Sequence, residues 1–328
     1  MNKPLVIILM ATYNPELSWL KEQLASINNQ TYENMELLVC DDCSSSIDEI
    51  QMRKFLKQYI TRFSYRLIRN EQNLGSNKTF ERLTIEGLNR DIKEGSFFAY
   101  CDQDDIWESC KIEVLVNAAA EKNAVLAYSD MSIIDGEGNA VSDSVTKIRK
   151  RFEYFEGYEL WRKILIRNFI SGCCMIIRAN AAKAAIPFEY GMQHDRWLSV
   201  IASMNGYLTY VNKPLIRYRQ HGKNQTGVLK DITDKQSYIN IRLKNHLNML
   251  QSVRKRTQEH ENVRQFMDQY IKQMETRLKY ATGKGSSLFE MIQYLKYNKP
   301  TILFEMIVLK MPDIFFKQAI KIIINRNL

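Results

Sequence analysis

The sequence predicts an α/β protein, a doubly wound and mostly parallel sheet followed by a C-terminal α-helical extension. Three observations carry that expectation. Short apolar runs alternate with amphipathic stretches through the first part of the chain, the pattern of strands buried on both faces beneath crossover helices. Each run ends in polar residues, as strands do where ligands bind at their C-terminal ends. Beyond about residue 227 turn signals become rare and apolar residues recur at helical spacing.

In order, Leu5 to Met10 is a continuous apolar run, read as the first parallel strand. Ala11-Thr12-Tyr13-Asn14-Pro15 breaks it, because a residue before proline is barred from helix. Leu17, Leu20, Leu24 and Ile27 mark one face of the following helix. Leu37 to Cys40 is a second strand, ending in Asp41-Asp42 and a serine run, and a helix spans about Ile47 to Ile60. Tyr65 to Ile68 is a third strand, followed by Asn73-Leu74-Gly75 and a helix from about Lys78 to Arg90. The fourth apolar run, Phe97 to Cys101, ends in Asp102-Gln103-Asp104-Asp105. Lys111 to Lys122 reads as helix, and Val125 to Tyr128 as strand. Ser129 to Gly138 reads as a strand and hairpin turn, with Asp135-Gly136 as the turn signal. The stretch from about Val141 to Gly157 is polar and basic with little period and reads as a long loop, a common form of functional lid. Ile170 to Ile177 is a further strand, and His194-Asp195 opens a helix. Tyr207 to Val211 and Leu215 to Tyr218 read as two short strands before Arg219-Gln220-His221-Gly222.

From Asp234 to about Thr282 the spacing predicts two long amphipathic helices hinged near His260. They either fold back on the domain or pair with a second copy as a homodimer. The tail from Leu288 to Leu328 mixes Phe, Leu, Ile and Met with lysine. Basic amphipathic helices of this kind either lie in a membrane interface or pack on the domain. The domain division expected is therefore residues 1–227 and 228–328.

Composition narrows the function classes. Of 328 residues, 45% are hydrophobic and 25% charged, enough for a sizeable core. No apolar stretch reaches the roughly 18 to 20 residues of a spanning helix. The N-terminus lacks the apolar region and cleavage site of a signal peptide. Cys40 and Cys43 have no second Cys/His pair at zinc spacing, and several of the six cysteines lie in apolar strand-like runs, which reads as core thiols of a reduced cytoplasmic protein. The net charge of +9 is spread along the chain with no nucleic-acid readout motif, which argues against a nucleic-acid partner.

The acidic stretch carries the chemistry. Three carboxylates within four positions repel one another. A divalent cation resolves this, since hard oxygen ligands suit Mg or Mn. A solvated acidic turn, with Asp105 as a helix cap, is the alternative reading.

The ordered set Ala11-Thr12-Tyr13-Asn14, Asp41-Asp42, Asn73-Leu74-Gly75, Asp102-Gln103-Asp104-Asp105, His194-Asp195 and Gln220-His221-Gly222 resembles glycosyltransferase family 2 over about the first 225 residues. Asp-Gln-Asp-Asp-Ile-Trp and Tyr-Arg-Gln-His-Gly look most like bacterial rhamnosyltransferases of surface-polysaccharide synthesis. The resemblance implies the GT-A fold and inverting chemistry. It implies that Thr12, Tyr13 and Asp41 hold the nucleotide base and ribose, with Gln103 among the nucleotide-binding residues. Asp102 then faces the ribose and Asp104 ligates a divalent metal (Mn or Mg), joined by His221. Asp195 matches the catalytic base, with His194 standing where the family usually has Glu. Arg219 and Lys223 are either phosphate contacts or part of a plain solvated loop.

The function expected is a metal-dependent hexosyl transfer from a dTDP- or UDP-linked sugar, rhamnose being the resembling case, to a polyprenyl-linked glycan. The expected location is the inner face of the bacterial membrane, with the tail on the membrane surface. The alternative is a non-catalytic, membrane-docked assembly subunit that retains the fold.

Overall fold

A computed structural model describes residues 3–90, 92–149, 152–189, 191–222, 232–257, 261–285 and 287–325. The chain divides into two compact units, Met1–Gly222 and Lys223–Leu328. The division expected at residue 227 falls outside the described residues.

The first unit opens with three β-α repeats: β1 (Val6–Thr12), α1 (Leu17–Asn28), β2 (Met35–Asp41), α2 (Glu49–Tyr59), β3 (Tyr65–Arg69) and α3 (Ser76–Leu88). It continues with β4 (Phe97–Cys101), β5 (Ile106–Trp107), α4 (Lys111–Glu121), β6 (Leu126–Ile134), β7 (Ala140–Ser142) and α5 (Val145–Ile148). It closes with α6 (Trp161–Ile166), β8 (Met175–Arg178), α7 (Ala179–Ala184), α8 (His194–Asn205) and β9 (Leu208–Arg219). Among the described residues these strands form one sheet in the order β3-β2-β1-β4-β8-β6-β9-β5, with β7 beside β6.

The parallel half follows from composition. β1 and β4 are buried along almost their whole length, so neither face can carry polar residues. β1 runs parallel to β2 and β4, and β2 parallel to β3. The ends of β1, β2 and β4 therefore gather on one edge, with Met10 paired to Cys101 and Thr12 to Asp41. Ile8, Val39, Ala99, Leu24 and Leu115 belong to one apolar cluster spanning strands and helices. Cys40, Cys101, Cys173 and Cys174 are buried free thiols, as their apolar context predicts.

Four expectations are corrected. β6 is one strand of nine residues rather than a strand and a separate hairpin arm, and its turn begins at Asp135. Tyr207–Val211 and Leu215–Tyr218 merge into β9, whose register on β6 shifts near Pro214. β8 is antiparallel to both β4 and β6, and Gly172–Cys174 forms a short 3₁₀ turn before it. The basic stretch after Val141 is no free lid. It contains α5, the Tyr154 hydroxyl donates to Asp130 at 2.9 Å, and the Tyr154 ring stacks on Tyr210 at 4.5 Å. The rest of the described stretch is irregular, as its composition predicts, but partly buried aromatic side chains anchor it to the domain.

The second unit is helical: α9 (Lys235–Tyr238), a π-helical turn over Ile239–Lys244, α10 (Asn245–Arg256), α11 (Glu261–Thr282), α12 (Leu288–Ile292), α13 (Leu295–Val308) and α14 (Asp313–Asn325). The hinge expected at His260 lies outside the described residues. Arg277 of α11 makes a two-pronged ion pair with Glu305 of α13 at 2.6 and 2.7 Å, and the Tyr238 hydroxyl donates to Glu305 at 2.8 Å. Tyr280, Met291, Tyr294 and Ile302 form a small apolar cluster beside it. No helix among the described residues is long and apolar enough to cross a membrane.

Candidate active site

The end of β1 turns through Asn14, which holds a left-handed φ of 42°. Asparagine tolerates that region because its short amide bonds locally. Here the side-chain oxygen of Asn14 accepts from the backbone of Ser45 and Ser46 at 2.8 and 3.0 Å, tying the β1 turn to the serine run after β2. Thr12 and Asp41 meet across this junction, hydroxyl to carboxylate at 3.2 Å. Asp41 also accepts from Ser44 N at 3.1 Å, Ser44 Oγ at 2.5 Å and Arg69 at 2.6 Å. Its carboxylate is thus engaged by its own chain on both oxygens.

Asp42 does a different job. It takes the backbone N–H groups of Leu74 and Gly75 at 2.8 and 2.9 Å and the Asn70 amide at 2.6 Å. The Asn-Leu-Gly loop is fixed by that one carboxylate, a role that adjacency to Asp41 conceals in the sequence.

Gln103 forms a two-way clamp with Tyr13. Its carbonyl accepts from Tyr13 N at 2.8 Å, and its amide donates to Tyr13 O at 3.1 Å. The Tyr13 ring is left exposed beside the acidic turn.

The carboxylates after β4 differ in environment. Asp105 is fully buried, with one oxygen accepting from Arg219 N at 3.0 Å and the other without a hydrogen-bond partner. Burial, then the charges of Asp104 and Asp102, push its carboxyl well above the ordinary range. Asp102 is pushed up to about 7 by desolvation, with the charges of Asp104 and Asp195 adding to it. Asp104 meets His221, Oδ2 to Nε2, at 2.9 Å. Beneath them Lys111 is buried, its ammonium donating to the carbonyl of Cys173 and lying 3.4 Å from the Trp107 ring centre. Burial lowers its pKa.

These donors fit a divalent cation. Asp104 Oδ2 and His221 Nε2 offer one carboxylate and one imidazole donor 2.9 Å apart, and Asp105 has a buried oxygen without a partner. Donor atoms of Asp102, Asp105 and Cys173 also lie within 4.8 Å of one another. The Cys173 thiol is pushed well above its usual range by its hydrogen bond with Cys174 and by burial. A thiol is a soft donor, poorly suited to a hard cation, so the Asp104–His221 side fits better.

Arg219 corrects its expected role. It is fully buried and bonds inward, to Asp104 O at 2.9 Å, Gly136 O at 3.1 Å and the Glu22 carboxylate. Trp19 donates to the same Gly136 carbonyl at 2.9 Å and lies against His221, ring centres 4.5 Å apart. Arg219 and Trp19 brace the Asp104–His221 pair instead of reaching a phosphate. Lys223, the other phosphate candidate, lies outside the described residues.

Asp195 sits in the first turn of α8. One oxygen accepts from Gly172 N at 3.2 Å, the other from Arg196 N at 2.5 Å and the Asn168 amide at 3.3 Å. Burial pushes its carboxyl up to about 6 against the pull of these donors. His194 turns the other way, stacked on Phe80 with ring centres 4.0 Å apart. Burial lowers it to about 3, so it is neutral, and its Nε2 has no hydrogen-bond partner. Asn77 of α3 holds the start of α8, accepting from His194 N at 2.8 Å and donating to Met192 O at 2.7 Å.

The expected site residues thus fall into three groups along one edge of the sheet: Thr12 with Asp41, Tyr13 with Gln103, and Asp104 with His221. Asp102 and Asp195 are linked by charge. Sequence reasoning missed Asp42, Asn77, Asn168, Gly172, Trp19 and the inward role of Arg219. Most act through backbone groups or burial, which leave no motif.

Carboxylates gathered at the C-terminal edge of the parallel half of a mixed α/β sheet, half of whose strand pairings are antiparallel where a mostly parallel sheet was expected, mark the GT-A class of nucleotide-sugar transferases. Glycosyl transferase family 2 matches residues 7–184, more than half of the chain, and the chain belongs to that family. It is a glycosyltransferase. It is 27% identical over 209 residues to the UDP-Glc:alpha-D-GlcNAc-diphosphoundecaprenol beta-1,3-glucosyltransferase WfgD of Escherichia coli, covering 62% of this chain and 73% of that protein. It is 28% identical over 228 residues to the dTDP-rhamnosyl transferase RfbG of Shigella flexneri, covering 66% and 73%. The crystal structure of S. aureus TarS 1-349 in complex with UDP-GlcNAc has a similar fold, with a TM-score of 0.57 at 16% identity over 98% of this chain and 89% of that one.

Proposed function

We propose that this glycosyltransferase of polysaccharide synthesis is metal-dependent and inverting, and moves a sugar from a UDP- or dTDP-linked donor to a lipid-linked glycan. The observation that carries the reading is Asp195, a single carboxylate raised to about 6 and held by Gly172 and Asn168, within charge contact of Asp102.

Inversion needs one displacement at the anomeric carbon and one base. Asp195 takes the proton of the acceptor hydroxyl. The hydroxyl oxygen bonds to the anomeric carbon as the bond to the diphosphate oxygen breaks, and that electron pair leaves with the diphosphate. Asp104 and His221 would hold the divalent cation, beside Asp102 on the ribose side. There it would neutralise the charge on the diphosphate leaving group. Thr12, Tyr13 and Gln103 take the nucleoside, with the exposed Tyr13 ring free to stack on the base, and Asp41 joins them by exchanging one of the bonds to its own chain. The donor classes and the lipid-linked acceptor are supported by the names of the Escherichia coli and Shigella flexneri relatives.

The test is calorimetric titration with UDP and with dTDP, each with and without Mn, on the native chain and on Asp104→Ala. One nucleotide is expected to bind with Mn dependence that Asp104→Ala removes. Sugar transfer that survives both Asp104→Ala and EDTA would refute the metal mechanism.

A further inference from the structure

The last three helices carry apolar side chains on two opposite sides. In α14, Phe316 and Ile320 are buried, whereas Ile314, Phe315 and Ile322 share an arc of about 100° on the other side and are exposed. In α12, Met291 is buried while Leu288, Phe289 and Ile292 face outward, Phe289 at 82% exposure. In α13, Ile302 and Glu305 point inward and Leu303 and Ile307 outward. A helix that only packs on its own unit needs one apolar face. Nine of the sixteen large apolar side chains exposed among the described residues lie between Leu288 and Ile322. Concentration of that kind marks an interaction surface.

The exposed charge around this surface is predominantly positive. Lys284, Lys296, Lys299, Lys310, Lys317 and Lys321 are all exposed. The acidic side chains of the same stretch are engaged locally: Glu305 is buried against Arg277, Asp313 pairs with Lys317 at 3.1 Å, and Glu290 accepts from Ser287 N in a capping box.

We infer that the outward faces of α12, α13 and α14 dock on a bilayer of anionic lipid. Aromatic and aliphatic side chains enter the interface while the lysines meet the headgroups. A second copy of the chain fits less well, because a self-complementary contact would bring like-charged lysines together. The inference rests on the proposed reading for its purpose, since a lipid-linked acceptor lies in such a bilayer.

The test is co-sedimentation of the full chain with vesicles of phosphatidylglycerol and phosphatidylcholine, and of phosphatidylcholine alone, without substrates. The native chain is expected on the anionic vesicles, less so at high salt. The triple variant Phe289→Ser, Ile314→Ser, Phe315→Ser should partition roughly tenfold less or weaker. Lys317→Gln with Lys321→Gln should lose about fivefold per lysine. Ile50→Ser, an exposed apolar residue on α2, should change nothing. Equal partitioning of the triple variant would overturn the inference. So would absent vesicle binding together with a dimer, seen by sedimentation, that the triple variant abolishes; the face would then belong to a second copy. Nucleotide titration of the same samples separates the two readings, for vesicle binding without nucleotide binding leaves the surface standing and removes the transferase reading.

Discussion

Gly172→Ala tests how Asp195, the proposed catalytic base, is placed. A Cβ at residue 172 would lie 2.7 Å from His194 Nε2 and 3.3 Å from Asp195 Cβ. Ordinary contact begins near 3.4 Å, so the ring and the turn must part by about 0.7 Å. His194 cannot swing aside, because its ring is stacked on Phe80 and tilted against Tyr100 at 5.5 Å. The strain passes to the first turn of α8, which carries Asp195 and its 3.2 Å bond from Gly172 N. Overpacking of this kind costs about 1–3 kcal/mol of stability. A base displaced by a large fraction of an ångström costs roughly 10- to 100-fold in kcat. The assay is a thermal melt with single-turnover sugar transfer on Gly172→Ala, His194→Ala and the double variant. If the clash is the cause, Gly172→Ala should do far less harm in the His194→Ala background, where the ring is gone. Additive losses would refute the steric argument, as would a Gly172→Ala enzyme with native kcat and melting temperature.

Asp195→Asn should abolish transfer yet leave nucleotide affinity within about twofold, because the amide cannot accept the proton; lost nucleotide affinity in calorimetry would move Asp195 out of the base role. In the native chain the base must be ionised, so with a pKa of about 6 kcat/KM should hold above that pH and fall about tenfold per unit below it; a flat profile down to pH 5 would assign the proton elsewhere. In the helical unit, Glu305→Ala leaves the Arg277 guanidinium buried without its carboxylate, a loss of about 3–5 kcal/mol. Urea denaturation followed by circular dichroism should show it, with Glu305→Ala, Arg277→Leu milder than Glu305→Ala alone.

The amino-acid sequence by itself determined the parallel half of the sheet. Runs such as Val6–Met10 and Phe97–Cys101 are apolar at every position, and only a strand covered on both faces hides them. It also determined which edge carries chemistry, since Thr12, Asp41 and Asp102 each stand where such a run stops. Those are local properties, readable from neighbours along the chain. Tertiary structure decided the rest. β8 enters antiparallel between β4 and β6, and no periodicity encodes strand direction. Gln103 turns back onto Tyr13, ninety residues away in sequence, and Arg219 turns inward to Glu22 and Gly136. An arginine close to a histidine in a polar turn reads the same whether it faces solvent or core; burial settles which, and burial is a property of the packed chain. The apolar side chains of α14 divide likewise into an inward and an outward face. The sequence shows that the helix is amphipathic, and only packing shows which apolar face is left over.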